Sequence, residues 1–363
     1  MTRKYGVSST GLIAPIIREG DDLAKIVTDI VLNAIDNIED GDIIGITESV
    51  VARAEGNYVT IDEVAEDIKE KLQNPDAITI INPIFSRNRF AMILKAIARA
   101  ASSRVSIYFP FVDAVGNVFE NHPFTNVNYV EYYKDIIKSE GKTADINYYC
   151  SSDPHMGQPT EGFYLIDCSL RPDIKLHDKI NKKERKYWIL ADFCRNKCEY
   201  GLLGSNKASE EKLKLFPSKK YSDWLIHRVR DLIATHTGKV VYTMVYGDGC
   251  FKDPVGGIWE FADPVTSPAY IKELEKSPNE LKLKNIADEK YANLNGKELE
   301  EAIKSDIQNK DNNLKGNMVS QGTTPRRYVD LLASLMDLTS GSGDKGTPIV
   351  YVKRYFDNYG TEK

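Results

Sequence analysis

The amino-acid sequence predicts a mixed α/β fold in two parts with a further αβ segment inserted between them. Three observations predict it. A length of 363 residues exceeds what one core usually supports, at about 100–200 residues per domain. Hydrophobic residues make up 42% and charged residues 28%, the balance of a chain that buries a core rather than of a disordered one. Short β-branched runs also alternate with stretches of three-to-four apolar spacing, an order that favours a mixed or parallel sheet. The expected divisions are residues 1–118, an inserted αβ segment over 119–198, and 199–363.

The elements follow in chain order. Leu12-Ile13-Ala14-Pro15-Ile16-Ile17 is an apolar run broken by proline, which suits an edge strand or a shaped loop. Asp21-Asp22 precedes Leu23, Ile26, Val27, Ile30, Val31 and Ala34, helical spacing with acids at the positive end of the dipole. After the turn at Glu39–Asp42, Ile43–Thr47 reads as a buried strand and Glu48–Gly56 as helix or loop. Further helices are expected near 60–73, 90–101 and 129–139. Strands are expected at 77–81, 104–109, 145–149, 163–167 and 187–191. The last third carries a helix near 221–234, a strand over 239–246, a polar helical stretch over 277–311, a helix over 326–337 and a strand over 348–355. No repeat of fixed period is present.

Composition narrows the function classes. Lys+Arg 48 against Asp+Glu 53 gives a net charge of −5, whereas a dedicated nucleic-acid binder normally carries a basic face and a high pI. No apolar run reaches the roughly 18–20 residues of a membrane span, and Met1–Tyr5 leads into no signal-like stretch. The five cysteines (150, 168, 194, 198 and 250) are scattered. Cys194 and Cys198 form one C-x3-C pair, a poor zinc signal without a second pair. A cytoplasmic chain with no nucleic-acid or membrane partner is expected.

The chemistry concentrates in a few segments. Val245–Gly257 runs an apolar strand into Asp248, Asp253 and four glycines. Ligands of α/β sheets gather beyond the carboxyl ends of strands, where glycine permits close approach. Asp248 and Asp253 are hard oxygen donors suited to Mg²⁺ or Mn²⁺, although an Asp-Gly turn explains part of the same pattern. Ser340-Gly341-Ser342-Gly343-Asp344-Lys345-Gly346 offers successive N–H groups for an anion nest, with Lys345 adding charge. It lacks P-loop spacing, and a flexible loop is the competing reading. Arg87/Arg89 and Arg326/Arg327 each precede a helix, a setting for phosphate or carboxylate as well as for simple capping and surface pairing. Thr323 or Thr324 would cap the second helix with Pro325 at its first position. The five histidines form no H-x-x-H pattern, and no G-x-S-x-G occurs. Acids, arginines and glycine loops remain, a set suited to positioning and charge stabilisation without a protein nucleophile.

The motifs Gly11–Leu23, Glu39–Asp42 and Thr47–Gly56 resemble the coenzyme F-420:L-glutamate ligase (γ-glutamyl ligase) family. Tyr200–Asn206, Leu215-Phe216-Pro217, the strand into Asp248, Leu335-Met336 and Gly343–Pro348 follow in that family's order. The chain is longer than the family's usual members, and 119–198 has no obvious counterpart. The resemblance implies a γ-glutamyl-ligase-like two-part fold. It implies nucleotide contacts by Ala14, Pro15, Ile16, Ile17, Ser49, Arg53 and Asn206, with Ser342, Gly343 and Lys345 in the C-terminal loop. Asp248, with Asp253 or Asp344, would hold Mg²⁺ or Mn²⁺. Arg53, Arg326 and Lys345 would neutralise charge, Arg326 and Lys345 in catalytic roles. Three departures stand out: Leu203 replaces the family's metal-binding aspartate, Glu48-Ser49 replaces Ser-Lys, and Tyr246-Gly247-Asp248 replaces Thr-Asp-Thr. The implied activity joins L-glutamate or a similar amino acid to a carboxylate acceptor, using GTP or ATP and an acyl phosphate, in a homodimer. The alternative is a non-catalytic protein that binds a nucleotide or anionic metabolite on the same fold.

Overall fold

A computed structural model describes residues 6–83, 86, 88–110, 121, 126–149, 164–169, 187–247, 250–252, 259–261, 269–314, 316–320, 327–341 and 343–360. The fold is α/β. Three sheets carry its cores, beside a two-stranded ribbon of β12 (Cys250–Lys252) and β13 (Trp259–Phe261), and the first draws strands from both ends of the chain. Strands β1 (Ser8–Leu12), β14 (Ile349–Lys353), β2 (Ile43–Thr47) and β11 (Tyr242–Tyr246) lie in that order. β2 and β11 run parallel, while β14 is antiparallel to both β1 and β2. The expected edge strand at 12–17 falls earlier, at β1. Pro15 lies in the loop beyond it, where no ladder N–H is needed.

Helices cover both faces of this sheet. Helices α1 (Leu23–Ala34) and α6 (Lys219–Thr237) pack together, and Thr243 of β11 donates its hydroxyl to Ile226 O of α6 at 2.9 Å. The other face receives helix α8 (Tyr328–Ser340), whose Met336 sulfur lies 2.1 Å from where a Cβ on Gly45 would stand. Only glycine admits that contact at the centre of β2. Ile43, Ile44 and Ile46 are fully buried as a result, which explains why β2 reads as a continuous apolar run rather than an alternating one. β11 starts at Tyr242 rather than 239 because Val240 turns toward Asp40, its N–H donated to Oδ1 at 2.8 Å.

The second sheet is parallel, in the order β6 (Thr143–Tyr149), β5 (Arg104–Pro110), β4 (Ala77–Ile81), β7 (Tyr164–Asp167), β8 (Tyr187–Ile189). It takes strands from both sides of position 118, so the 1–118 and 119–198 segments share one sheet. Helices α3 (Ile61–Lys71), α4 (Phe90–Ala100) and α5 (Tyr129–Ser139) pack into its core. Chain order reverses between β4 and β7. There Asp167 accepts bonds from Asn82 Nδ2 at 3.0 Å, Ser169 N at 2.9 Å and Tyr187 Oη at 2.7 Å. Three donors on a buried carboxylate lock the carboxyl edge of this sheet. β8 ends at Ile189, whose N–H is donated to Asp192 across a one-turn helix.

A small antiparallel sheet, β3 (Tyr58–Thr60), β10 (Lys212–Lys214) and β9 (Asn206–Ser209), joins the two larger parts. Helix α2 (Glu48–Glu55) leads from the first sheet into it. Val51 and Ala54 of α2 enter the first core, whereas Leu213 and Leu215 enter the second. Helix α7 (Gly296–Gln308) lies in the polar stretch expected to be helical, with Ile303 and Ile307 in a small core of their own. Helix α8 starts at Tyr328, with Arg327 at its N-cap position and no side-chain cap bond. Thr323, Thr324 and Pro325 lie outside the described residues.

Candidate functional site

One end of the first sheet collects the segments that the sequence analysis singled out. β2 and β11 both finish there, Thr47 pairing with Tyr246, and β14 begins there. Ala14 N–H is donated to Gly346 O at 2.9 Å, which joins the N-terminal loop to the C-terminal one. Thr47 N–H is donated to Pro348 O at 2.9 Å, and Tyr246 Oη reaches the same carbonyl at 3.3 Å. Thr347 donates its hydroxyl to Ser340 O at 2.9 Å, closing the glycine-rich loop on itself. These bonds tie the ends of β1, β2 and β11 to the start of β14 and the loop before it.

The loop over 13–22 is tied to α2. Arg53 Nε donates to Ile17 O at 3.0 Å, and Gly20 N–H to Ala54 O at 3.0 Å. Arg53 is exposed, and it anchors the loop that carries Ala14 and Pro15. Ile17 is buried at 3% exposure, so its side chain packs in the first core, whereas Ile16 stands 78% exposed. Ser49 is half-buried in the first turn of α2. Gly343, Asp344 and Lys345 form an exposed single turn. Lys345 Nζ lies 2.8 Å from where a Cβ on Gly341 would be, so the side chain folds back over the loop. Ala14, Ser49, Arg53, Gly343, Asp344 and Lys345 therefore sit on segments gathered at one sheet end.

Asn206 comes from β9, outside this sheet. It lies opposite Lys214 of β10, and Lys214 Nζ donates to both oxygens of Glu48, the first residue of α2, at 3.0 and 2.7 Å. Lys214 was not singled out by the sequence analysis. A lysine between two buried leucines in a strand was its one signal, and alternation alone assigns such a residue to solvent.

Asp248, Asp253, Arg326 and Ser342 lie outside the described residues. Two neighbours of these positions are informative. Tyr246, two residues before Asp248, is at the gathered sheet end. Arg327, next to Arg326, stands at the opposite end of α8, where Tyr328 meets Tyr355 and Phe356 beyond the far end of β14. Arg327 forks onto Asp330 at 3.1 and 2.9 Å, a surface ion pair. A 13-residue helix spans about 20 Å, and that length separates Arg327 from the glycine loop at Ser340. Among the described residues no three His, Cys, Asp or Glu side chains gather into a metal group. Cys194 and Cys198 are buried free thiols, pushed up to about 12 and about 11 by that burial.

A family model for the F420-0:gamma-glutamyl ligases matches residues 11–354. The chain belongs to that family. It is a gamma-glutamyl ligase-like enzyme, and the match takes in both of the larger sheets and the small sheet that joins them. No curated protein matches the chain. No helix among the described residues is long and apolar enough to cross a membrane.

Proposed function

We propose that this ligase uses GTP or ATP, with Mg²⁺ or Mn²⁺, to join L-glutamate or a similar amino acid to a small carboxylate acceptor. The gathering of Ala14, Thr47, Tyr246 and Gly346–Pro348 at one sheet end carries the reading. A polyphosphate there meets the glycine loop, Lys345 and Ser49 from segments that backbone bonds already hold together, so little ordering remains to be done on binding. Asn206 would complete the nucleotide contacts from β9. Asp344 sits on the same loop, and Asp248 follows Tyr246 by two residues. A cation held by those carboxylates would supply charge neutralisation between phosphate oxygens.

The acceptor carboxylate oxygen attacks the γ-phosphorus and the nucleoside diphosphate leaves. The amine nitrogen of the amino acid then attacks the acyl carbon, the C–O bond to phosphate breaks, and the ammonium proton passes to solvent. Lys345 and Arg53 act by placing positive charge near the transferring group. The protein would work as a homodimer. β1 is an edge strand, and Ile13 (77% exposed) and Ile16 lie just beyond it, an apolar rim that a second copy would cover.

Isothermal titration with GTP and ATP in the presence of Mg²⁺ tests the nucleotide step, and absence of binding by both removes it. Phosphate release with glutamate and candidate carboxylates then separates the ligase from the alternative, since a non-catalytic binder takes up nucleotide and releases none. Light scattering of wild type and I13K/I16K tests the dimer: the variant should run at half the mass.

A further inference from the structure

The Glu48–Lys214 pair is not explained by stability. The two side chains keep only 7% and 10% of their surface exposed. Removing two charges from water costs several kcal/mol per ion, and packed apolar residues in their place are often as stable or more so. Lys214 is the one lysine among the described residues that is buried.

Its place in the fold suggests a different use. Glu48 stands between Thr47, whose N–H holds Pro348 at the gathered sheet end, and Ser49. Lys214 stands directly across the ladder from Asn206, and residues so opposed project to one face with Cβ atoms about 4.5–5.5 Å apart. The ion pair therefore spans the joint between the two large parts of the molecule. It connects the helix of Ser49, rooted in the first core, to the strand of Asn206, which runs beside the second. Neighbouring contacts make the joint stiff: Asn57 Nδ2 donates to Phe216 O at 2.6 Å, and Ser218 N–H to Glu55 at 2.8 Å.

We propose that Lys214 is a positioning residue for the nucleotide. It holds Asn206 at a set distance from Ser49, and it cancels the charge of a carboxylate that would otherwise oppose phosphate one residue from Ser49. The inference rests on the nucleotide-dependent reading above.

The test uses the full chain, Mg²⁺–GTP and Mg²⁺–ATP titrations, and ligand-free melting of each variant. K214M should weaken nucleotide binding on the order of tenfold, the repulsion between like unit charges roughly 12 Å apart at the effective dielectric near a protein surface. K214R keeps charge and reach and should stay within about threefold of wild type. E48Q/K214M removes both charges and should recover the part of the loss owed to the unpaired carboxylate, keeping only a several-fold deficit from the lost tether. A purely structural role predicts instead that affinity follows melting temperature through the series, whatever the charge. Unchanged affinity in a folded K214M, or a double variant as weak as K214M, overturns the proposal. If K214M does not fold, E48D carries the test, because it keeps both charges and shortens the reach. It should bind several-fold more weakly, and wild-type affinity in E48D overturns the proposal. A wild-type protein that binds neither nucleotide overturns the functional reading beneath it, a result distinct from any variant pattern.

Discussion

Replacing Gly204 with alanine should cost this protein roughly 2–5 kcal/mol of folding stability, and two separate causes contribute. Gly204 has φ +76°, a left-handed conformation that costs a residue with a Cβ about 1–2 kcal/mol. A Cβ there would also lie 1.8 Å from Cε2 and 2.3 Å from Cδ2 of Phe216. That ring is fully buried, packs edge-on against Tyr200 with centroids 5.4 Å apart, and follows a backbone pinned by Asn57. It has no room to swing away, so overpacking adds about 1–3 kcal/mol. Urea unfolding of wild type and G204A measures the sum. In an F216L background, which removes ring atoms at the clash, the increment should shrink to the conformational part, about 1–2 kcal/mol. Asn206, whose nucleotide contact is proposed above, lies two residues on, and on that proposal nucleotide affinity should fall with the same substitution. A G204A protein within about 0.5 kcal/mol of wild type, below either cause taken alone, would refute the reasoning.

Three other outcomes are expected. Thr60 and Glu63 form a reciprocal cap at the start of α3, Glu63 N–H donated to Thr60 Oγ1 at 3.1 Å and Thr60 N–H to Glu63 Oε2 at 2.7 Å, so T60A should lose about 1 kcal/mol in thermal or urea melts. The Thr60 N–H bond holds the Glu63 carboxyl below its ordinary value; that stability is present above the unfolded carboxyl pKa of about 4.3 and is lost as pH falls through the lower folded value, so wild type and E63Q should converge in acid. Burial lifts the thiols of Cys194 and Cys198 to about 12 and about 11, so both should resist alkylation at pH 8 in the native protein and react once urea unfolds it, as site-resolved mass spectrometry will show.

Much of the fold was legible because local chemistry agrees with the final structure. Ile43–Thr47, Ala77–Ile81 and Phe90–Ala100 form as their spacing predicts, and the helix expected near 221–234 runs on to Thr237, where Gly238 caps it in the left-handed conformation. Where these boundaries moved, a side-chain carboxylate took the backbone N–H, in one case from far along the chain and in the other from three residues away. Val240 was drawn out of its strand by Asp40, and Ile189 ended its strand on Asp192. The site was legible in part. Glycine density, Lys345 and the run after Gly11 mark segments that the fold gathers at one sheet end, since each marks a backbone that must bend or come close. Arg327 could not be placed from the sequence, because a charged residue before a helix looks the same at either end of the molecule. Its partner Asp330 and the rings around Tyr328 place it a helix length away.

Residue order by itself determined the α/β class, the family, and which segments carry polar chemistry, because periodicity and short motifs are properties of neighbours along the chain. Only the tertiary structure decided that β1 and β14, from opposite ends of the chain, close one sheet around β2. It also decided that strands on both sides of position 118 share another, and that Lys214 meets Glu48 across 166 positions. Such pairings depend on which buried surfaces fit together in space, and no stretch of local sequence contains both partners.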